Sequence, residues 1–390
     1  MRRLNRTIVL AKIKEFGTIT KPELCVLTNL KAPTINNIVY QLEKDNLIKC
    51  IGKKNSTSKG GPRPNLYTIN SEGGYFIGID VGILKIIGVL VDLNGNILAT
   101  ESINRGLSIP KTFAHQLKNS VQLLLKKTGI FADDLVKIGI SIAALIDSKT
   151  GIIASAGTDE FRNFDVAHAL YPDVEVEIYV DNDINMLAHG QTILIKKIRD
   201  MNNVICIGIR EGIGLGIIIN GDIYRGSNGL AGNLQGLHNA IDGENILNQV
   251  RCALTKNPQI DTFCDKNVED MSKEELFEVI RNNDQIAGAV ESSFCEIGKL
   301  IGMLVQILAP DAVLVAGEIF TCNKRFFQIL VDSCKASIFT KPAPKTEYYE
   351  VPLAANTLAY CSALYILDEF CKCGGNKITK KKKTSSTLLI

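Results

Sequence analysis

The sequence predicts an α/β chain in which an N-terminal winged helix-turn-helix precedes a larger α/β body. Three observations predict it. Residues 1–70 show short apolar periodicities at helical spacing, then two β-rich runs flanking a basic Gly/Ser loop. Residues 76–98 read as strand, Asp-x-Gly corner, strand and Asn-Gly turn, and residues 204–219 as two strands around a glycine-rich corner. Charge divides along the same line. Residues 1–70 hold 13 basic and 4 acidic residues, whereas the chain without them and without the lysine tail from Lys372 carries 25 basic against 37 acidic. A basic module on an acidic body implies that the module binds a polyanion and the body does not.

The first helix is expected over residues 4–16, from Leu4, Ile8, Val9, Ile13 and Phe16, with Gly17 as its stop. Thr20-Lys21-Pro22-Glu23 combines a capping box with an early-turn proline and starts a second helix running to about Thr28. After a short turn, Pro33 opens a third helix to about Asp45, with Ile35, Ile38, Val39 and Leu42 facing inward and Thr34, Asn36, Asn37, Tyr40 and Gln41 outward. Strands at 48–51 and 66–69 flank a wing, residues 52–64. Amides near the start of the third helix suit the major groove. Asn36 or Asn37 can pair with adenine N6 and N7, and Thr34 can touch a thymine methyl or a phosphate. Lys31, Lys53, Lys54 and Lys59 are placed for phosphates, and Arg63, between two prolines, for a narrow minor groove. The expected partner is operator DNA.

At 390 residues, two or three domains are expected: 1–70 for DNA binding, 71–75 as linker, and a body over 76–371. Residues 372–390 are expected to form a disordered basic tail with six lysines and no acids. Arg210-Glu211 and Pro310-Asp311 interrupt the two longest apolar candidates for a membrane span, and no signal-type apolar core follows the N-terminal arginines. The expectation is a cytoplasmic protein without membrane association. Eleven cysteines lie singly, apart from Cys371-Lys372-Cys373, half a metal site at most. Neither a metal nor another cofactor is expected.

In the body, Asp80-Val81-Gly82 forms the first corner, and a helix is expected over 108–127 with Ser108 as cap. A strand at 136–142 follows. A strand end at 178–181 then leads into Asn182-Asp183-Ile184-Asn185 and a helix continuing through Gly190. Polar side chains where a strand ends in an α/β fold are usual ligand contacts. Gly212-Ile213-Gly214-Leu215-Gly216 joins the next two strands, and Asn220-Gly221-Asp222 is a hairpin turn. Helices are expected over 245–255, 273–282, 286–308, 326–336 and 354–370, with a buried strand at 312–317.

These segments resemble the ROK family of repressors and sugar kinases, and within it the xylose-type repressors. The family's first phosphate corner reads Asp-x-Gly-Gly-Thr-Lys where this chain has Asp80-Val81-Gly82-Ile83-Leu84-Lys85. Gly212, Gly214 and Gly216 match its second phosphate loop, and Gly-Gly-Pro-Arg-Pro-x-Leu at 60–66 its wing signature. The resemblance implies a two-lobed actin-like (ribonuclease H-like) body, with a small lobe of residues 76–190 plus the helix at 354–371, and a large lobe of 191–353. It implies that Asn182 contacts sugar, that Asp183 stands at the general-base position, and that Asn233 replaces a sugar-binding glutamate. The family's zinc cysteines are absent, and Gly236 stands where it has histidine.

Phosphoryl transfer needs loops that admit the triphosphate closely. Ile83 and Leu84 crowd the first, and Arg210-Glu211 precede the second. A carboxylate about 4 Å from a phosphate is repelled by roughly 4 kcal/mol at an effective dielectric of 20, which Arg210 partly offsets. The reading is therefore a sugar-responsive DNA-binding regulator with no catalytic residues, Asp80, Gly82, Gly212, Gly214 and Gly216 being degenerate phosphate-loop positions. The alternative is a sugar kinase or bifunctional kinase-repressor. A small-molecule sugar effector and a homodimer or higher homo-oligomer are expected.

Overall fold

The structure, a computed structural model, describes residues 2–54, 63–105, 110–147, 149–155, 161–170, 175–210, 212–234, 243–260, 266–339 and 344–376. Helix α1 (Arg2–Phe16) stops at Gly17, whose φ of +69° suits a residue without Cβ. Strand β1 (Ile19–Thr20) leads into α2 (Lys21–Thr28), where the Thr20 hydroxyl accepts the Glu23 N–H and the Glu23 carboxylate accepts the Thr20 N–H. Asn29, at φ +55°, turns the chain toward α3 (Ala32–Lys44), and β2 (Ile48–Lys53) and β3 (Asn65–Ile69) form the wing strands. Ile35, Ile38, Val39 and Leu42 of α3 are buried as expected, joining Val9, Ile13 and Leu24 in the module's core. The wing sheet has three strands, ordered β1-β3-β2. The two-residue β1 is too short for any periodicity to announce.

The expected linker is packed. Ser71–Gly73 forms a 3-10 turn, the Asn70 amide donates to the Asn46 carbonyl and side chain, and a Cβ on Gly73 would lie 2.3 Å from the Asn46 carbonyl oxygen.

The body opens with β4 (Tyr75–Val81), β5 (Lys85–Val91) and β6 (Ile97–Asn104), an antiparallel meander whose second turn is built on Asp92. That carboxylate accepts the N–H groups of Asn94 and Asn96 and the Asn96 amide. Helix α4 (Pro110–Thr128) and β7 (Leu135–Ile142) follow, then the small hairpin β8 (Leu145–Asp147) and β9 (Ile152–Ser155), helix α5 (Val166–Leu170) and β10 (Glu177–Asn182). The first sheet is ordered β10-β7-β4-β5-β6. Ser108 lies outside the described residues.

Helix α6 (Asp183–Leu194) precedes β11 (Val204–Ile209), β12 (Ile213–Ile219) and β13 (Asp222–Ile223). Helices α7 (Gly243–Lys256), α8 (Lys273–Asn282), α9 (Asp284–Ala289) and α10 (Glu291–Leu308) lead to β14 (Ala312–Ala316), α11 (Arg325–Ala336), β15 (Glu347–Val351) and α12 (Thr357–Lys372). The second sheet is ordered β13-β12-β11-β14-β15, with β14 parallel to both neighbours. The helix expected over 286–308 is two helices. The Val290 N–H bonds back to Ala287 and Gly288, a tight turn that leaves the apolar pattern on either side intact.

The chain forms two compact units, residues 1–141, 165–180 and 362 onward, and residues 142–164 and 181–361. This division differs from the expected lobes. Helix α6 belongs with the second unit because it packs on β11 and β12, and the winged helix clusters with the first unit. The first five residues of the expected disordered tail have a defined place. Residues 372–376 are ordered against the winged helix: the Arg6 Nε donates to the Gly374 carbonyl at 2.5 Å, and the Thr7 hydroxyl to the Lys372 carbonyl at 2.9 Å. The rest of that segment lies outside the described residues.

Candidate DNA interface and effector site

On the outward face of α3, Asn36, Asn37 and Tyr40 are exposed and Thr34 is half-buried, while the Gln41 amide donates to Asn37 at 3.3 Å. Lys31 stands exposed at the N-cap with no side-chain capping bond, its carbonyl accepting the N–H groups of Thr34 and Ile35. A cation and two amides therefore share the helix end whose dipole favours an anion such as phosphate.

In the wing, Lys53 and Arg63 are exposed, and β2 carries a bulge between Cys50 and Gly52. Lys54 is committed differently from expectation: its ammonium lies 2.5 Å from the Glu23 carboxylate. That contact, with the Thr20 bonds, holds the Glu23 carboxyl down at about 2. Lys54 therefore ties the wing to α2. Lys59 lies outside the described residues.

In the second unit, the end of β10 and the start of α6 collect four polar side chains. Asn182 is the N-cap of α6, its side-chain oxygen accepting the N–H groups of Ile184 and Asn185 at 2.9 and 3.4 Å and its amide donating to the Ala144 carbonyl at 3.2 Å. Asp183 is buried. Its Oδ1 accepts the Ile184 N–H at 3.0 Å, and its Oδ2 accepts the Arg210 guanidinium at 2.7 Å. Buried Asp181 accepts from the Asn185 amide at 3.0 Å and from Arg225 Nε at 2.8 Å. Two aspartates at one helix start are each neutralised by an arginine from another strand end, which is how a buried charge is tolerated. Sequence reasoning missed Asp181, Arg210 and Arg225 as members of this cluster. Nothing in their spacing shows that the chain brings them together.

Two of the glycines expected at degenerate positions of the second phosphate loop, Gly214 and Gly216, lie against α6. Gly214 and Gly216 lie within β12, and only Gly212 is in the turn, where its carbonyl accepts the Arg210 N–H. A Cβ on Gly214 would lie 2.7 Å from Ile184 Cγ1, and one on Gly216 would lie 2.6 Å from the Ile184 carbonyl oxygen and 2.8 Å from Ala188 Cβ. Gly208 faces the same helix. These glycines let α6 lie directly on the sheet. Asn233 is exposed and forms an isolated bridge with Gly214. Glu211 and Gly236 lie outside the described residues.

The first corner, in the other unit, is a tight turn. The Gly82 N–H donates to Lys85, its carbonyl accepts Arg105 at 3.0 Å, and Ile83 and Leu84 are 55% and 75% exposed. Burial lowers the Arg105 pKa, and its guanidinium stacks on Phe113. Asp80 is buried in β4 and accepts the Ser141 hydroxyl at 3.0 Å. Among the described residues no group of three or more His, Cys, Asp or Glu could hold a metal ion.

The family model described as "ROK family" matches residues 76–358. The xylose repressor of Bacillus subtilis (strain 168) is 22% identical over 380 residues, 95% of this chain and 96% of that protein. The xylose repressor of Bacillus spizizenii is 30% identical over 242 residues, 62% of each chain. Among solved structures, a ROK family transcriptional regulator, homologous to the E. coli MLC protein, superposes with a TM-score of 0.78 at 18% identity, covering 96% of this chain and 97% of its own. A ROK family glucokinase from Streptomyces griseus, in complex with glucose and AMPPNP, superposes at 0.62 with 20% identity, covering 75% of this chain and 99% of its own. The family model spans 283 of the 390 residues, well over half of the chain: the chain belongs to the ROK family.

Proposed function

We propose that this protein is a sugar-responsive DNA-binding transcriptional repressor whose kinase-like body binds an effector without phosphorylating it. The observation that carries the reading is a winged helix-turn-helix with an exposed amide face on α3, joined to a family body whose base position is already engaged. Both oxygens of Asp183 accept hydrogen bonds, one from Arg210. A general base must instead receive the substrate's hydroxyl proton in the transition state. The repressor names of the long relatives support the same reading.

The mechanism is a two-state switch. The sugar site is assigned to Asn182, Asp183 and Asn233 at the start of α6 and beside β12. Effector binding there favours one conformation of the body, and that conformation sets the spacing of two winged helices in a homodimer. Half-sites must lie about one helical turn, roughly 10 bp, or a multiple apart, so a change in spacing releases the operator. Asn36 or Asn37 reads bases. Thr34, Lys31, Lys53 and Arg63 position the duplex, with Tyr40 beside them on the outward face. The protein acts in the cytoplasm, where its operator is.

The test is a set of gel-shift titrations at several salt concentrations. Asn36→Ala or Asn37→Ala is expected to cost about 1–3 kcal/mol and to relax base preference. Lys53→Ala is expected to weaken every duplex alike and to reduce the salt slope by about 1. Equal losses on specific and random DNA for both asparagine variants would overturn the assignment of α3. Repeating the titration across a monosaccharide panel reads the effector, and a panel with no influence on operator affinity would remove the sugar from the account.

A further inference from the structure

We propose, resting on the effector reading above, that Arg210 sets the affinity of the effector site. Its guanidinium holds the Asp183 oxygen that a sugar hydroxyl takes, so a sugar binds by displacing it. Asp183 opens α6, and its Oδ1 is committed to the helix by the Ile184 N–H at 3.0 Å. Oδ2 is the oxygen left for a partner from outside the helix, and Arg210 Nη1 donates to it at 2.7 Å. The Asp183 side chain is 6% exposed and that of Arg210 21%. The arginine is the member of the pair that meets water, and the carboxylate has no comparable opening of its own. A hydroxyl therefore reaches Oδ2 as the guanidinium withdraws.

The neighbouring pair is built differently. Asp181 Oδ1 accepts the Asn182 N–H at 2.7 Å and the Asn185 amide at 3.0 Å. Arg225, which meets Oδ2 at 2.8 Å, also donates to the Ile223 carbonyl at 3.3 Å. Both members of that pair are thus tied to backbone. Arg210 instead stands just past β11, in the turn that leads to β12, where its N–H meets the Gly212 carbonyl at 2.9 Å. A Cβ on Gly212 would meet nothing within 4 Å, so this turn has room to shift. The start of α6 has none: a Cβ on Gly208 would lie 2.3 Å from Ile184 Cδ1. The carboxylate is held by the seating of its helix, and the cation by a long side chain on an open turn. Of the two, the arginine is the one that moves.

A guanidinium on a carboxylate is a charge-assisted bond, and one sugar hydroxyl does not outweigh it. Displacement returns Arg210 to water rather than burying an unpaired cation, which keeps the exchange within reach of a sugar that makes several bonds. Apparent affinity is the intrinsic affinity multiplied by the fraction of molecules in which Asp183 is open. The ion pair lowers affinity through that fraction.

The experiment compares the full-length parent with Arg210→Gln and Arg210→Lys by isothermal titration calorimetry against D-xylose, D-glucose, D-galactose and D-mannose. For whichever of these binds, Arg210→Gln is expected to bind it about tenfold or more tightly than the parent does. Arg210→Lys keeps the charge without the planar fork and should fall between them. The same sugar should raise the Tm of Arg210→Gln more than that of the parent. An arginine that merely supports the fold would give the reverse, weaker binding in both variants. A measurement on the parent alone guards against a variant that fails to fold. Phenylglyoxal labelling of Arg210, read by mass spectrometry, should rise when the sugar is added, because the guanidinium is released to solvent. Equal or weaker binding by Arg210→Gln overturns the proposal. So does protection of Arg210 from labelling, which would make it a clamp on the sugar. Either result leaves the sugar reading standing. Absence of binding by all four sugars to all three proteins would overturn both, an outcome distinct from equal affinity.

Discussion

The two sheets of the body share one strand order. The first runs β6-β5-β4-β7-β10 and the second β13-β12-β11-β14-β15, so in each the third, second, first, fourth and fifth strands lie side by side. Each opens with an antiparallel hairpin whose corner resembles a phosphate loop. The corners have diverged in opposite ways. The first presents bare apolar side chains, Ile83 and Leu84, and its buried Asp80 is met by the Ser141 hydroxyl. In the second unit, β11 and β12 are locked under α6 through Gly208, Gly214 and Gly216, and Arg210, beside the corner, reaches the carboxylate at the base position. Gly208, Gly214 and Gly216 carry helix-on-sheet packing and are constrained by it whether or not the corner meets a phosphate, whereas Ile83 and Leu84 stand exposed. A corner without that packing duty is free to change.

The comparison breaks first at Gly216. Gly216→Val should destabilise the protein by about 3 kcal/mol, because its Cβ meets a backbone oxygen that cannot move aside, while Gly212→Ala, with open space around it, should stay within about 0.5 kcal/mol. Urea midpoints check both, and equal costs would mean that α6 is not seated by these glycines.

Next comes Arg210→Ala. It leaves Asp183 buried without its charged partner and should cost about 2 kcal/mol, discounted because Arg210 keeps some access to water. In the first sheet, Ser141→Ala removes a neutral donor from Asp80 and should cost about 1 kcal/mol. Thermal unfolding of the two variants sharpens the contrast, and a larger loss at Ser141 would reverse it.

The smallest effect is one of pH. The Glu23 carboxyl is depressed from 4.5 to about 2, so its contribution is fully present above about pH 4.5 and is lost as pH falls toward 2. Glu23→Gln should flatten the stability profile in that window by lowering stability at neutral pH, by an amount kept small because the Lys54 contact is exposed.

The winged helix was legible because its signals are local. A capping box, a proline at a helix start and a buried Ile-Ile-Val-Leu stripe each act within a few residues, and α2 and α3 match expectation to within a residue at their ends. The break at Val290 was not, since a tight turn leaves helical periodicity in place on both sides. Nor was the packing of Gly214 and Gly216 against α6, because the sequence shows missing Cβ atoms without showing what fills their space. The Asp183–Arg210 and Arg6–Asp45 pairs join residues 27 and 39 positions apart. Such pairings depend on the fold, and no window of sequence contains them.

The central claim is that Asp183 has kept its place and lost its reaction. A coupled ATPase assay beside an operator-release titration, run on the parent and on Asp183→Asn, tests it most directly. The account predicts no sugar-dependent ATP consumption above background in either protein, and an effector response that the substitution weakens by about 1–2 kcal/mol while basal operator binding is unchanged. Robust turnover in the parent, abolished in Asp183→Asn, would contradict the account and make the protein a kinase.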